Sequence, residues 1–123
     1  MYMVKCSPKY WEFVLDLRNN MRQYFFSQGI ITKEEHEKFM QKWSDHYFIC
    51  LSHDHDTPLG WVGVVDNDMR VAVSPDFQKQ GVGKFMLESI KGLYPNATAQ
   101  ILAENISSIR LFESANIPLE IIE

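Results

Sequence analysis

The sequence predicts an α/β fold of the α+β kind, a mixed, mostly antiparallel central sheet flanked by helices. Three observations predict it. Runs rich in β-branched and aromatic residues fall at 46–52, 59–65 and 69–73, separated by short polar turns, as an antiparallel hairpin set requires. Segments of helical period lie on both sides of that set. Residues 69–90 then read as a strand, a turn, a glycine-containing loop and an amphipathic helix, the unit that returns the chain to the sheet.

In order, residues 2–6 form a short first strand. Ser7 caps a helix with Pro8 at its first position, and Trp11, Val14, Leu15 and Leu17 set its buried face. Residues 19–26 continue or restart the helix until Gly29 breaks it. Thr32-Lys33-Glu34-Glu35 is a capping box that opens a helix to about Trp43. After the first strand of the hairpin set, 53–58 is a polar turn, and Asp66-Asn67-Asp68 makes the second turn. Val82, Phe85, Met86, Ser89, Ile90 and Leu93 share one face of the helix after the loop. Residues 98–103 form a strand, 106–115 a helix, and 117–123 suffice for one last strand. No repeat, linker or low-complexity tract interrupts the chain, which reads as a single domain over 1–123.

The loop Gln78-Lys79-Gln80-Gly81-Val82-Gly83-Lys84 is the most specific feature. A glycine loop opening into a helix turns several N–H groups onto one point, backed by the positive end of the helix dipole. Gly81 and Gly83 lack a Cβ, so an anion such as a pyrophosphate can approach the main chain, and Lys79 and Lys84 add positive charge. A Walker loop needs Ser or Thr after Gly-Lys, and Phe85 stands there. A dinucleotide fingerprint needs a small residue where Met86 stands. What remains is Gln-x-x-Gly-x-Gly after Val71-Ala72-Val73-Ser74-Pro75.

That pattern resembles the coenzyme A loop of the GCN5-related N-acetyltransferases (GNAT). The segment after it resembles the same family: Asn105, Ser108, Phe112 and Asn116-Ile117 stand where the family has Asn, Ala or Ser, an aromatic residue and Gly-Phe. The resemblance implies a GNAT-like fold, acetyl-CoA as cofactor, a small-molecule amine as acceptor and direct transfer in a ternary complex. It places Val71, Ala72, Val73, Gln78, Lys79, Gln80, Gly81, Val82, Gly83, Lys84, Asn105, Ser108 and Phe112 around the cofactor, with the Val73 N–H aligning the thioester carbonyl. Asn105 would hold the pantetheine arm while also fitting as a helix N-cap. Phe112 departs from the family: the residue there is often Tyr, whose hydroxyl protonates the leaving thiolate. Asn116 replaces the glycine as a left-handed cap. The family generally adds a further hairpin, so a strand contributed by a partner in a homodimer is an expectation of the short end.

A lysine-type amine is neutral in only about one part in a few thousand at pH 7, so the reaction calls for a base or a water chain. Glu104, at the end of a strand beside Asn105, is the first candidate for a catalytic base, with a solvated carboxylate as the alternative. Its replacement by Gln is expected to lower turnover and spare acetyl-CoA affinity. Asp66, Asp68, His46 and the run His53-Asp54-His55-Asp56 are further candidates. That run reads as a solvated turn rather than a metal site, and no metal is expected. Cys50, mid-strand, reads as buried rather than nucleophilic.

Leu17-Arg18-Asn19-Asn20-Met21-Arg22 and Ile31-Thr32-Lys33-Glu34-Glu35-His36 are similar to the amino-terminal region of acetyltransferases acting on nucleotide-linked amino sugars. On that resemblance Arg18, Asn19, Arg22 and His36 line or support the acceptor site. Arg18 and Arg22, at i and i+4, share one helix face. A non-catalytic acyl-CoA-binding module and an acetyltransferase of protein amino termini or lysines stand as alternative classes.

Composition sets the outer limits. At 123 residues, with 46% hydrophobic and 13% aromatic residues, the chain supports a packed core. A net charge of −4 argues against a general nucleic-acid binder, and no apolar run approaches a membrane span. Two cysteines, Cys6 and Cys50, without close spacing or a secretory segment, point to a reduced, cytoplasmic protein.

Overall fold

The computed structural model describes residues 1–25 and 29–123. The elements are β1 (Tyr2–Lys5), α1 (Trp11–Asn20), α2 (Lys33–Trp43), β2 (Tyr47–Leu51), β3 (Pro58–Val65), β4 (Asp68–Val73), α3 (Val82–Ile90), β5 (Ala99–Leu102), α4 (Ile106–Ser114) and β6 (Leu119–Ile122). β1 to β4 form an antiparallel sheet in sequence order, and β5 pairs with β6 in parallel. The expected α+β architecture of a mostly antiparallel sheet flanked by helices is what the chain adopts.

Helices cover both faces of the sheet, and the strands read accordingly. Tyr47, Ile49 and Trp61 pack with Val14, Leu17 and Met40 of α1 and α2, while Phe48, Cys50, Val62 and Val64 pack with Met86, Leu87 and Ile90 of α3. A strand buried on both faces loses its polar alternation, which is why β2 and β3 are near-continuous apolar runs. Gly63 admits the Tyr47 ring: a Cβ there would lie 2.4 Å from Tyr47 Cζ. β3 turns into β4 through Asp66 and Asn67, both with positive φ (52° and 64°), the two-residue turn whose twist suits a hairpin.

Two early expectations are corrected. The helix expected over 19–26 ends at Asn20, and a 3-10 turn over Arg22–Tyr24 follows; Phe26 lies outside the described residues. Asn19 supplies the reason. Its Nδ2 donates to the Ile31 carbonyl and its Oδ1 accepts from the Ile31 N–H, both at 3.0 Å, fastening the loop over the end of α1. Ser7 also makes no side-chain cap; Pro8–Tyr10 is a 3-10 turn that leads into α1. The capping box of α2 forms as read, Glu35 N–H donating to Thr32 Oγ1 at 3.2 Å and Thr32 N–H to Glu35 Oε1 at 3.1 Å.

The sheet splits between β4 and β5. Thr98 N–H donates to the Asn67 carbonyl and Met69 N–H to the Thr98 carbonyl, each at 2.8 Å, and this one parallel bridge joins the strands. Beyond it they diverge, and side chains of both line the space between them.

Candidate active site

The split opens into a cleft of about 670 Å³, lined by β4, β5, the loop before α3 and the start of α4. Ladder parity fixes what β4 shows to it. In an antiparallel pair, alternate residues bond one neighbour. Ser74 N–H goes to Leu59 on β3 and Met69 N–H to Thr98 on the other side, so Val71 and Val73 present their N–H groups to the gap.

The loop closes the cleft at the open end of β4. Lys79 (φ 62°) and Gly81 (φ 81°) both adopt the left-handed conformation, which folds successive N–H groups onto a concave side. Gly81 is the N-cap of α3 and has no side chain to bond it, and the first helical bond runs from Phe85 N–H to the Gly81 carbonyl. The N–H groups of Val82, Gly83 and Lys84 therefore lack an intrahelical acceptor. By contrast α2 and α4 are both capped by side chains. An uncapped helix start behind two left-handed residues, with Lys79 and Lys84 on the cleft wall, fits an anion of pyrophosphate type.

The two glycines differ in role. A Cβ on Gly81 would meet nothing within 4 Å, so its need is the positive φ alone. A Cβ on Gly83 would come within 2.8 Å of Leu111 Cδ2, so Gly83 lets α3 pack against α4. Gln78 donates from Nε2 to the Val73 carbonyl at 3.2 Å. Gln80 is exposed and lines neither cavity.

Across the cleft, Asn105 caps α4, its Oδ1 accepting from the Ser108 N–H at 3.3 Å. Asn105, Ser108 and Phe112 line the cleft with Val71, Ala72 and Val73, so the cofactor-side residues expected from the sequence meet there, Gln80 excepted. Phe112 is also core, 2% exposed. Asn116 takes the left-handed cap (φ 59°) and Ile117 N–H returns to the Phe112 carbonyl.

The expected base does not join them. Glu104 is an exposed turn residue and lines neither cavity, because the chain between β5 and the Asn105 cap turns at the surface. Asp66 is exposed at the hairpin turn, and His46 is hydrogen-bonded through Nδ1 to the Tyr94 hydroxyl at 3.1 Å. His53 stacks on Tyr2, and His55 pairs with Asp54 at 3.3 Å in an exposed turn. Asp68 is the carboxylate lining the cleft among the described residues, and Arg70 Nη2 holds its Oδ2 at 2.7 Å. Both cysteines are buried and unpaired, and burial pushes their thiols up, Cys6 to about 12.

A second cavity of about 290 Å³ lies on the α1/α2 face of the sheet, walled by Trp61, Tyr47, Phe25, Phe39, Arg18, Arg70 and His36. Arg18, Phe25, Ile31 and Arg70 also line the cleft, so the two spaces adjoin. Of the four residues expected at the acceptor site, Arg18 and His36 line this cavity and Asn19 supports its loop. Arg22 does not join them: it leaves the helical register, is exposed and donates to the Asn19 carbonyl at 3.3 Å. Arg70 stands with Arg18 instead. The signal for it was an arginine inside the otherwise apolar run Met69-Arg70-Val71-Ala72-Val73. His36 donates from Nε2 to the Trp11 carbonyl at 2.8 Å, and burial holds its pKa below the usual value.

A split sheet with an uncapped helix start at the gap thus forms one cleft that adjoins a second cavity. The family model for the acetyltransferase (GNAT) family matches residues 11–116, and the chain belongs to that family, whose N-acetyltransferases draw on acetyl-CoA. Solved structures of similar fold include a domain from Methanocaldococcus jannaschii (TM-score 0.80, 20% identity, 94% of this chain and 86% of that one). They also include spermidine N-acetyltransferase from Vibrio cholerae, solved with CoA and spermine (0.76, 15%, 93% and 78%). A third is a phosphinothricin acetyltransferase from Sinorhizobium meliloti, solved with acetyl-CoA (0.76, 13%, 92% and 72%). No curated protein matches significantly by sequence. Among the described residues no helix is long and apolar enough to cross a membrane.

Proposed function

We infer that the protein transfers an acetyl group from acetyl-CoA to a primary amine of a small molecule, directly and without an acyl-enzyme. The observation that carries this is the juxtaposition of the uncapped start of α3 with the gap where Val71 and Val73 present their N–H groups. The loop amides and Lys79 and Lys84 would hold the pyrophosphate, and Asn105 the pantetheine arm. Acetyl-CoA supplies the activated acetyl group. The Val73 N–H, fixed by the β-ladder before any ligand binds, is the donor suited to the carbonyl oxygen as it gains charge. The buried thiols of Cys6 and Cys50 support the absence of an acyl-cysteine.

Among the described residues the cleft offers no free carboxylate base, since Arg70 engages Asp68. That favours an acceptor of low basicity. An α-amino group is neutral to the extent of about a tenth at pH 7, against about one part in a few thousand for a lysine. Sugar amines are less basic than lysine too, and an amino sugar remains the finer reading for which the stretch Arg18 to His36 argues. The spermidine and phosphinothricin acetyltransferases of similar fold act on small amines, in keeping with a small-molecule acceptor.

Calorimetry with acetyl-CoA tests the reading, with a Lys79→Glu/Lys84→Glu double variant as control. Both lysines are exposed, so the variant reverses charge without touching the core. Binding to the wild type that weakens at least tenfold in the variant, with amine-dependent thiol release, supports the proposal; no binding to either ends it.

A further inference from the structure

We propose that the side-chain amide of Gln100 receives the attacking amine, its Oε1 accepting an N–H of the acceptor at the gap between β4 and β5. The proposal rests on the acetyltransferase reading above and adds a residue to its acceptor side.

Strand alternation sets the side on which Gln100 stands. Ala99 and Ile101 are buried in the cluster that β5 shares with α3 and α4, so Gln100, between them, lies on the opposite side of the sheet. There it is exposed and lines the cleft. On β4 the same side carries Asp68, Arg70 and Ala72, since Ala72 packs in the α1/α2 cluster while Met69 packs in the α3 one. Counted from the parallel bridge between Asp68 and Thr98, Gln100 comes level with Arg70, just where the strands have parted. The cluster under α1 and α2 takes in residues of β1 to β4 and none of β5. That leaves a way into the gap over Gln100.

A primary amine attacks through its lone pair as the neutral base, so its N–H groups are what the protein can hold, and holding them takes an acceptor oxygen. Two competing side chains of the cleft wall are engaged. Arg70 Nη2 holds Asp68 Oδ2 at 2.7 Å, and Asn105 Oδ1 accepts from the Ser108 N–H. Arg18 and Arg70 can only donate. Among the described residues nothing hydrogen-bonds the Gln100 side chain. As the N–C bond to the acetyl carbon forms and the C–S bond breaks, the nitrogen gains positive charge and then sheds a proton, by way of solvent, to the sulfur. A hydrogen bond to a group gaining charge strengthens through that step. Glutamine supplies the oxygen without a charge that would hold the amine as its unreactive ammonium.

The reach is suitable. Arg70 and Val73 are three residues apart on β4, about 10 Å at the rise of a strand, and Val71 is nearer. A hydrogen bond of about 2.9 Å at each end and a near-attack contact of about 3–3.5 Å span most of that length, and the glutamine side chain covers the rest.

The experiment measures thiol release with phenethylamine, spermine and glucosamine at saturating acetyl-CoA, in the wild type, Gln100→Leu and Gln100→Glu. Gln100 is exposed, so neither variant disturbs the core, and calorimetry with acetyl-CoA reports folding and cofactor affinity together. For the amine the wild type uses best, Gln100→Leu should lose about tenfold or more in kcat/KM while acetyl-CoA affinity holds within about twofold. Gln100→Glu keeps an acceptor oxygen and removes the amide donor, and it should exceed Gln100→Leu at least threefold. A smaller loss in Gln100→Leu, or a Gln100→Glu variant that gains less than that, overturns the proposal and leaves the acetyltransferase reading intact. A matching fall in acetyl-CoA affinity in Gln100→Leu also overturns it, placing the residue on the cofactor side. A wild type that binds acetyl-CoA yet turns over none of the three amines removes the proposal along with the primary-amine reading, and absence of acetyl-CoA binding removes both as well.

Discussion

Gln78 reaches back from the loop to donate its Nε2–H to the carbonyl of Val73, at 3.2 Å. The bond ties the loop that starts α3 to the last residue of β4, the residue whose N–H faces the gap. One side chain thus couples the position of the loop amides at the start of α3 to the position of the Val73 N–H.

Gln78→Leu should therefore raise the KM for acetyl-CoA about threefold to tenfold and lower kcat, with little change in Tm. A neutral hydrogen bond contributes about 0.5–1.5 kcal/mol, and this one lies at the surface. Steady-state kinetics with acetyl-CoA as the varied substrate checks it, and unchanged constants would show the bond to be incidental.

Gly81→Ala should destabilise by about 1–2 kcal/mol from left-handed strain alone, since open space surrounds the added methyl. Gly83→Ala acts differently, pushing the flexible end of Leu111. Only the Gly81 variant should distort the loop amides, so its acetyl-CoA affinity should fall by more than that of Gly83→Ala. Urea denaturation and calorimetry on both variants separate the two effects.

Glu104→Gln should leave turnover unchanged over the whole pH range, because the residue lies outside both cavities. A pH–rate profile decides; a lost ionisation would restore Glu104 to the mechanism.

Phe112→Tyr should not raise kcat. The ring is 2% exposed in the core, and a hydroxyl buried there without a partner costs about 1–3 kcal/mol. A lower Tm with no gain in turnover is the expected pair of results.

His36 gives a pH dependence of stability. Its folded pKa lies below the unfolded value of 6.5, with burial the main cause. The unfolded chain then binds the proton more readily, so this contribution is complete above pH 6.5 and is lost as pH falls through the folded pKa. Urea midpoints measured downward from pH 7 should fall in the wild type and fall less steeply in His36→Gln.

The loop at the start of α3 was legible because local chemistry fixes it. A glycine at positive φ, a proline after a strand and an uncapped helix start are neighbours in sequence, and so Val71 to Lys84 could be read directly. The same holds for the Thr32–Glu35 capping box and the Asn116 cap. The Asn19 clamp on Ile31 was not legible, since it joins residues across a loop and ends a helix whose own propensity would continue it. Glu104 misled for a related reason: standing next to Asn105 in sequence does not place a side chain in the cleft.

By itself, then, the sequence determined the α+β class, the order of the strands and helices, and the loop at the start of α3, because each follows from contacts a few residues long. The tertiary structure alone decided that β4 and β5 part after one bridge, and that Arg70 rather than Arg22 stands beside Arg18. Those outcomes depend on how two faces of a sheet are covered and where its strands diverge, and such long-range packing leaves no short pattern in the chain.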